Sequence, residues 1–172
     1  MSDVDDLTFD ERLERMKKYV AQQGEFHYVK TREDATPPVR MHADDAGYDM
    51  SILELSHCKG TVRFYRTGIK VRPPPGMYFD LVARSSITKT GHMLANGFGV
   101  IDPGYRGEVL VPLVKVDPAA PDLQLPCRIV QLVPRYLLTP QPVEIDAAQL
   151  DDTARGEGGF GSTGTSIGTT ST

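Results

Sequence analysis

The chain has 172 residues, of which 40% are hydrophobic and 24% are charged, and its formal net charge is −4. This usage is typical of one globular domain with a modest core, which excludes a largely disordered chain. The longest apolar stretch, around Val109 to Val114, is far shorter than the ~20 residues of a membrane-spanning helix. The acidic N-terminus lacks an apolar run, so we expect no signal peptide.

Cys58 and Cys127 form no CxxC pair, and the four histidines lack an HExxH spacing. A reducing compartment is therefore expected, and a zinc site is not.

The charges are distributed unevenly along the chain. Residues 1–14 carry six acidic side chains and one basic one, whereas residues 59–115 carry nine basic and three acidic side chains. A local positive excess within an acidic protein suits a small polyanion better than a nucleic-acid track. A solvated, salt-bridged surface would give the same pattern. We expect neither nucleic acid nor a membrane as a partner.

The first predicted element is a short helix over residues 8–22. Thr8 followed by Glu11 fits a capping box, and Gly24 is a suitable stop. Apolar side chains recur at helical spacing between them, at Phe9, Leu13, Met16 and Val20. We expect this apolar stripe to pack on the protein's own body or to shield an oligomer surface.

From Phe26 to about Ile145 the pattern changes to short β-rich runs separated by Pro and Gly. Predicted strands are Phe26–Val29, Val62–Tyr65, Ile69–Arg72, Tyr78–Ala83, Glu108–Val116 and Arg128–Leu138. Many short strands without intervening helices predict an all-β sandwich, barrel or jelly roll. We divide the chain into an N-terminal extension (1–25), a β domain (26–150) and a flexible Gly-rich arm (151–172).

Five short motifs carry the candidate chemistry, and the first two precede the middle of the chain. Residues 45–49, Asp-Ala-Gly-Tyr-Asp, read as a turn-prone stretch bearing two carboxylates. Residues 83–86, Ala-Arg-Ser-Ser, follow an apolar run and place an arginine beside two hydroxyls. Such a group can meet phosphate oxygens with charge-assisted hydrogen bonds. Each motif alone is common in proteins of many kinds.

The other three motifs lie in the second half. Residues 96–108 include Asp102, which follows two β-branched residues and precedes a Pro-Gly turn, so it is predicted at a strand end. Residues 128–132 predict a strand with a polar Gln131 among apolar neighbours. Residues 155–164, Arg-Gly-Glu-Gly-Gly-Phe-Gly-Ser-Thr-Gly, lack the Gly-Lys-Ser/Thr ending of a Walker loop. Their composition favours a mobile tail, yet it is also that of an arm that folds over a phosphate-bearing ligand.

Taken together and in order, from about Phe26 to Gly164, the five motifs resemble the trimeric dUTP pyrophosphatase (dUTPase) family. The stretches AGYD (46–49), IDPGYRGE (101–108) and RGEGGFGSTG (155–164) carry the resemblance. It implies an all-β distorted jelly roll, a homotrimer with shared active sites, and hydrolysis of dUTP to dUMP and pyrophosphate with Mg²⁺. It also implies a role in lowering dUTP and supplying dUMP for thymidylate synthesis. The expected location is the cytoplasm, or the host cell interior or nucleus for a viral protein.

The same resemblance assigns roles to individual residues. Asp102 would activate the water that attacks the α-phosphorus, and Asp49 would hold Mg²⁺ through water. Arg84, Ser85 and Gln131 would contact phosphates. Asn96 would lie in the hairpin that reads the uracil edge, and Tyr105 would pack on the deoxyribose. In the arm, γ-phosphate contacts would come from Arg155, Ser162 and Thr163, and Phe160 would stack on uracil. Substrate contact is also implied at Ser86, Gly99, Val100, Ile101, Gly159 and Gly161.

Three departures from the family pattern leave the loop geometry near Ser86 open. Ser86 stands where the family usually has glycine, and Ala83 where it usually has proline. Leu-Pro-Cys precedes Arg128 in place of the usual Gly and acidic residue.

Two other functions are compatible with parts of the sequence. RSS and IDPG also resemble dCTP deaminase, but that family's catalytic glutamate position is occupied here by Pro112, which cannot accept a proton. A catalytically idle trimer that engages a protein partner is the third interpretation. The presence of Asp102, Arg155 and Phe160 together argues against it, because a scaffold needs none of them.

Overall fold

The computed structural model describes residue 8, residues 10, 11, 13 and 14, and residues 25–159. At the N-terminus it contains the predicted capping interaction. The Thr8 amide and hydroxyl both donate to the Glu11 carboxylate at 2.8 Å, and the Glu11 amide donates back to Thr8 Oγ1 at 3.3 Å. Most of the predicted helix over 8–22 lies outside the described residues, so the helix itself stays a prediction.

Ten short β-strands dominate residues 25–159, as the β-rich runs predict. They are β1 (His27–Lys30), β2 (Tyr48–Ile52), β3 (Glu54–Lys59), β4 (Val62–Arg66), β5 (Ile69–Arg72), β6 (Met77–Ala83), β7 (His92–Leu94), β8 (Gly99–Ile101), β9 (Leu110–Lys115) and β10 (Cys127–Tyr136). Two 3-10 turns, Ser85–Lys89 and Ala147–Gln149, are the other regular elements of residues 25–159. The mostly β character predicted from the sequence is thereby confirmed.

The strands form two four-stranded sheets and a two-stranded ribbon, and every pairing is antiparallel. The first sheet has the order β2-β10-β6-β8, the second has β3-β4-β9-β7, and the ribbon pairs β1 with β5. The six predicted strands match β1, β4, β5, β6, β9 and β10 to within two residues. Strands β2, β3, β7 and β8 were not predicted.

The core follows from the two-residue period of the strands, because alternate side chains point to one face. In β10, Val130 and Leu132 are fully buried, and so are Phe79 and Leu81 on neighbouring β6. Burying each such side chain contributes roughly 1.5–3 kcal/mol to the stability of the folded state. Cross-strand partners share a face, so the intervening Gln131 of β10 lies on the opposite face of this sheet. That polar outer face carries the first group of candidate site residues.

The chain divides after Leu138 into two units. All ten strands belong to the first unit, and the second contains the short turn Ala147–Gln149. Within the described residues, no helix has the length and apolarity to span a membrane.

Candidate active site

Arg84 is held firmly at the end of β6. Its Nε lies 2.8 Å from Asp49 Oδ1, and its Nη1 donates to the carbonyl of Arg128 at 2.8 Å. Its backbone amide donates to the Ile129 carbonyl at 2.9 Å. The guanidinium is therefore fixed to both β2 and β10. Its planar arrangement of donors can hold both contacts at once, whereas the ammonium of a lysine could not.

Asp49 is buried, and its second carboxylate oxygen is incompletely satisfied. Oδ2 lies 3.7 Å from Arg128 Nη1, which is within ion-pair distance but beyond a hydrogen bond, and it has no hydrogen-bond partner among the described residues. The turn-prone stretch predicted over residues 45–49 ends before Tyr48 and does not include Asp49. Asp49 is the second residue of strand β2, paired with Gln131 of β10. A buried carboxylate with a free acceptor is suited to a cationic or hydrated ligand.

The Gln131 carboxamide lies close to Gly47, the residue directly before β2, because Gly47 has no side chain. A Cβ at Gly47 would collide with the carboxamide oxygen of Gln131 and would also crowd Val133. A larger residue at position 47 would displace the Gln131 carboxamide from this place. We call Asp49, Arg84, Arg128 and Gln131 the Asp49 cluster.

Ser85 and Ser86 open the 3-10 turn that follows Arg84. Ser85 is exposed, and its carbonyl accepts a hydrogen bond from the Thr88 hydroxyl at 2.8 Å. Ser86 Oγ is buried without a hydrogen-bond partner among the described residues. No described residue other than glycine has a positive φ, so serine at position 86 adopts an ordinary backbone conformation.

A separate cavity of about 250 Å³ lies near the second half of β6. Five of its lining residues are predicted substrate contacts, namely Asn96, Gly99, Val100, Ile101 and Tyr105. Five others were missed, namely Phe64, Leu81, Val109, Leu110 and Pro112. These five residues are apolar, as core residues are. The sequence therefore contains no signal that distinguishes a cavity-lining residue from a core residue here.

Asp102 directly follows Ile101, which lines this cavity, and its side chain is exposed. Strand β8 ends at Ile101, and the carbonyl of Asp102 accepts a hydrogen bond from the Tyr105 amide at 3.0 Å. The predicted position at a strand end, before a turn, is confirmed. Arg106 fixes the turn by donating to the carbonyls of Pro103 and Tyr105, both at 2.7 Å.

Tyr105 is oriented by the main chain of Glu108. Its hydroxyl donates to the Glu108 carbonyl at 3.0 Å. Gly107 is needed beneath it, since a Cβ at this position would collide with the phenol. The cavity wall formed by Tyr105 is therefore tied to the segment that follows it.

The carboxylate of Glu108 is itself nearly buried in a set of donors. It accepts hydrogen bonds from Arg66 Nε at 3.1 Å and from the Gly68 amide at 2.8 Å. Burial by itself raises the pKa of Glu108. The Arg66 hydrogen bond and the Gly68 amide outweigh burial, so the pKa lies below its ordinary value.

The Asp49 cluster and Asp102 of one chain lie toward opposite ends of strand β6. Arg84 follows Ala83, which ends the strand, whereas Asp102 lies one residue beyond the pair formed by Ile101 and Phe79. At ~3.3 Å per residue, this offset corresponds to about 20 Å along the sheet. Each chain therefore carries two separate groups of candidate site residues.

The comparisons with known proteins agree with this geometry. A sequence model of the dUTPase family matches residues 33–164. The deoxyuridine 5'-triphosphate nucleotidohydrolase of Mycolicibacterium vanbaalenii is 39% identical over 142 residues, covering 79% of this chain and 92% of that protein. The chain belongs to the dUTPase family. The enzyme class of this family is dUTP diphosphatase.

Solved dUTPase structures have the same fold as this member of the family. The dUTPase of Staphylococcus bacteriophage 80alpha with dUPNHPP has a TM-score of 0.65 at 23% identity, covering 81% of this chain and 98% of that one. A mutant dUTPase from phage phi11 of S. aureus, described with a structural Mg(II) ion, has a TM-score of 0.60 at 21% identity. It covers 74% of this chain and 100% of that one.

The donor set of this dUTPase fits a magnesium ion that takes most of its ligands from elsewhere. No group of three or more His, Cys, Asp or Glu side chains able to hold a metal occurs among the described residues. The Asp49 cluster offers one carboxylate oxygen, Oδ2 of Asp49, that accepts no hydrogen bond among the described residues. Mg²⁺ prefers oxygen ligands, keeps several waters and is often completed by substrate phosphates, so Asp49 suits a water-mediated contact.

The described part of the C-terminal arm contains two of its predicted site residues. Arg155 Nε donates to the carbonyl of Gly158 at 2.9 Å, which forms a local turn with Gly156 at φ +49°. Gly159 is exposed. The remaining predicted arm contacts, Phe160, Gly161, Ser162 and Thr163, lie outside the described residues.

Proposed function

We propose that the chain hydrolyses dUTP to dUMP and pyrophosphate as a homotrimer of distorted jelly rolls with active sites shared between subunits. Membership of the dUTPase family supports the reaction. The observation that carries the shared-site proposal is the separation of Arg84 from Asp102 along β6. A compact site needs phosphate-binding cations beside the catalytic base, and a second subunit can supply the missing group.

The 250 Å³ cavity would take the 2'-deoxyuridine part of the substrate. Strand β8 is at the edge of its sheet, so one row of its backbone amides and carbonyls is free of ladder bonds. The uracil edge presents acceptor, donor and acceptor in turn, which suits pairing with backbone groups of Gly99 and Ile101 and with the Asn96 carboxamide. Val100 would complete the contact, and Tyr105 would pack on the deoxyribose and leave no room for a 2'-hydroxyl.

The Asp49 cluster would take the triphosphate. Arg84, Ser85 and Gln131 would bind phosphate oxygens, with the Ser86 turn supporting them. Preorganised cationic donors lower the energy of the charge that develops on the leaving group. Mg²⁺ held through water by Asp49 would add to this charge neutralisation.

Asp102 would serve as general base. A water oxygen attacks the α-phosphorus and passes a proton to the Asp102 carboxylate. The bond from the α-phosphorus to the bridging oxygen breaks, and pyrophosphate leaves with the electron pair. The arm would close the site, with Arg155, Ser162 and Thr163 on the γ-phosphate, Phe160 on the uracil ring, and Gly159 and Gly161 allowing close approach. Such a reaction in the cytoplasm lowers dUTP and supplies dUMP for thymidylate synthesis.

Pyrophosphate release from dUTP, dCTP, dTTP and UTP, in the presence of Mg²⁺, tests the reaction. We expect rapid release from dUTP alone. Release of ammonia from dCTP would favour the deaminase. Pro112 of β9, which occupies the position of that family's catalytic glutamate, argues against this outcome because proline cannot accept a proton. A stable protein inactive on all four nucleotides would favour the binding module.

Mixing two impaired variants tests the shared site. Asp102→Asn and Arg84→Ala subunits should each retain at most about a tenth of the wild-type activity alone. After co-refolding, every mixed trimer contains one site with both native residues, so a random mixture should regain about a quarter of the wild-type activity. No recovery, in a mixture proven to exchange subunits, would place both residues of each site in one subunit.

A further inference from the structure

We propose that Glu108, clamped by Arg66, is a positioning residue that sets the ring of Tyr105 and thereby the preference for a 2'-deoxyribose. The inference rests on the proposed function, in which Tyr105 packs on the sugar. In this inference the Glu108 carboxylate touches neither substrate nor reacting atoms. It acts on Tyr105 through the backbone carbonyl of Glu108.

The first step is the anchoring of the Glu108 carboxylate. The Arg66 guanidinium donates from both Nε and Nη2, at 3.1 and 2.5 Å to Oε2. The Gly68 amide donates at 2.8 Å to Oε1, and the Thr31 hydroxyl donates at 3.3 Å to Oε2. The Glu108 side chain is only 11% exposed. Four donor groups from the β1, β4 and β5 region thus fix this one side chain.

The second step is the transfer of that anchoring to the main chain. The next residue, Val109, is fully buried, and its amide donates to the Ile69 carbonyl at 2.9 Å. The Thr67 hydroxyl donates to the Val109 carbonyl at 2.7 Å. The Val109 side of the peptide that contains the Glu108 carbonyl is thus held by these contacts, whereas its Glu108 side is held through the anchored carboxylate. The direction of the Glu108 carbonyl depends on both.

The third step is the contact with Tyr105. The fixed carbonyl of Glu108 accepts the phenol hydroxyl at 3.0 Å, and Gly107 leaves the space that the ring occupies. Tyr105 is part of the cavity wall. Positional errors of about 1 Å in a binding wall can cost up to a hundredfold in rate. Loosening the Glu108 anchor should therefore weaken the exclusion of a 2'-hydroxyl before it affects the chemical step.

The test compares Glu108→Gln with a matched control, Glu54→Gln. Glu54 also faces Arg66, at 3.9 Å, but lies at the start of β3. For Glu108→Gln we expect KM for dUTP to rise about tenfold with kcat within about twofold, and the kcat/KM preference for dUTP over UTP to fall about tenfold. Glu54→Gln should change none of these values. Glu108→Asp, which restores the charge, should recover part of the preference.

A readout independent of activity is the ¹³Cζ NMR signal of tyrosine in the labelled protein, with Tyr105 assigned by its loss in Tyr105→Phe. The signal should shift in Glu108→Gln and stay in place in Glu54→Gln. A folded Glu108→Gln protein with the wild-type signal and the wild-type preference for dUTP would overturn the inference. A wild-type protein that leaves dUTP intact would instead overturn the proposed function, and the NMR comparison would still decide the role of Glu108.

Discussion

Arg84 reaches Asp49 across an intervening strand. Arg84 directly follows β6 and Asp49 lies in β2; these two strands are not neighbours, because β10 lies between them. The 2.8 Å contact from Nε to Oδ1 passes over the β10 backbone, where Nη1 also donates to the carbonyl of Arg128. The guanidinium therefore uses its fork to span a strand, and this geometry leads to the first prediction.

Arg84→Lys should be almost as damaging as Arg84→Ala. A lysine ammonium keeps the charge but cannot hold Asp49 and the Arg128 carbonyl from a single plane. Loss of charge-assisted hydrogen bonds worth roughly 1.5–3 kcal/mol each predicts a fall of about ten- to a hundredfold in kcat/KM for dUTP. Steady-state pyrophosphate release measures it. A lysine variant within about twofold of wild type would mean that charge alone matters at this position.

Asp102→Asn should strongly reduce turnover while preserving the fold. The side chain is exposed, and the turn is held by backbone contacts of its carbonyl rather than by its carboxylate. General-base catalysis contributes roughly 10²–10⁴ in rate, so kcat should fall at least about a hundredfold. KM and the melting temperature should stay close to wild type. A fall of less than tenfold in kcat would assign the base to another group.

Gly47→Ala should displace the Gln131 side chain and lower kcat/KM for dUTP, with only a small effect on stability. The new Cβ would collide with the Gln131 carboxamide, which is the far end of a flexible side chain and can move away at little cost. Because Gln131 is proposed to bind phosphate, its displacement should lower kcat/KM for dUTP about tenfold, the loss expected for one hydrogen bond to a charged group. Steady-state pyrophosphate release and urea unfolding measure the two effects. In a Gln131→Ala background the same substitution should change kcat/KM much less, since the collision partner is absent. Equal losses in both backgrounds would point to Val133 or to the backbone instead.

The pKa of Glu108 predicts a pH dependence of stability. The folded state lowers this pKa below its ordinary value of 4.5. The carboxylate therefore stabilises the fold at any pH above 4.5, and this contribution is lost as the pH falls through the lower, folded-state pKa. The difference in melting temperature between wild type and Glu108→Gln should be largest near neutral pH and should shrink in acid. A melting-temperature difference that stays constant from pH 7 to pH 3 would contradict this prediction.

Strands whose side chains alternate regularly could be predicted from the sequence, and those that carry site residues at their ends were harder. Asp49 was predicted in a turn-prone stretch because Asp and Gly cluster before it, yet the register with Gln131 places it in β2. Strands β7 and β8 have three residues each, and β8 begins with Gly99. Strands this short contain too few alternations of apolar and polar residues to be distinguished from a loop by sequence.

The candidate site could be predicted in composition but not in arrangement. The motifs identify Arg84, Gln131 and Asp102, but only strand pairing reveals that Asp102 lies about 20 Å from Arg84 along β6. The cavity residue Phe64 was missed because an aromatic side chain in a predicted strand also suits a core. Glu108 was read as part of a family motif, and its clamp by Arg66 depends on residues 42 positions apart meeting in space.

The alternation of β10 has a consequence for how the enzyme fails on heating. Gln131 faces outward between Val130 and Leu132, both of which are completely shielded from solvent. A strand with this anchoring exchanges its amide hydrogens mainly through global opening. The geometry of the Asp49 cluster should therefore persist until the whole β domain melts. The Asp102 turn lacks such an anchor on its own side chain, so protection of its amides and activity should be lost at lower temperature than the bulk unfolding transition.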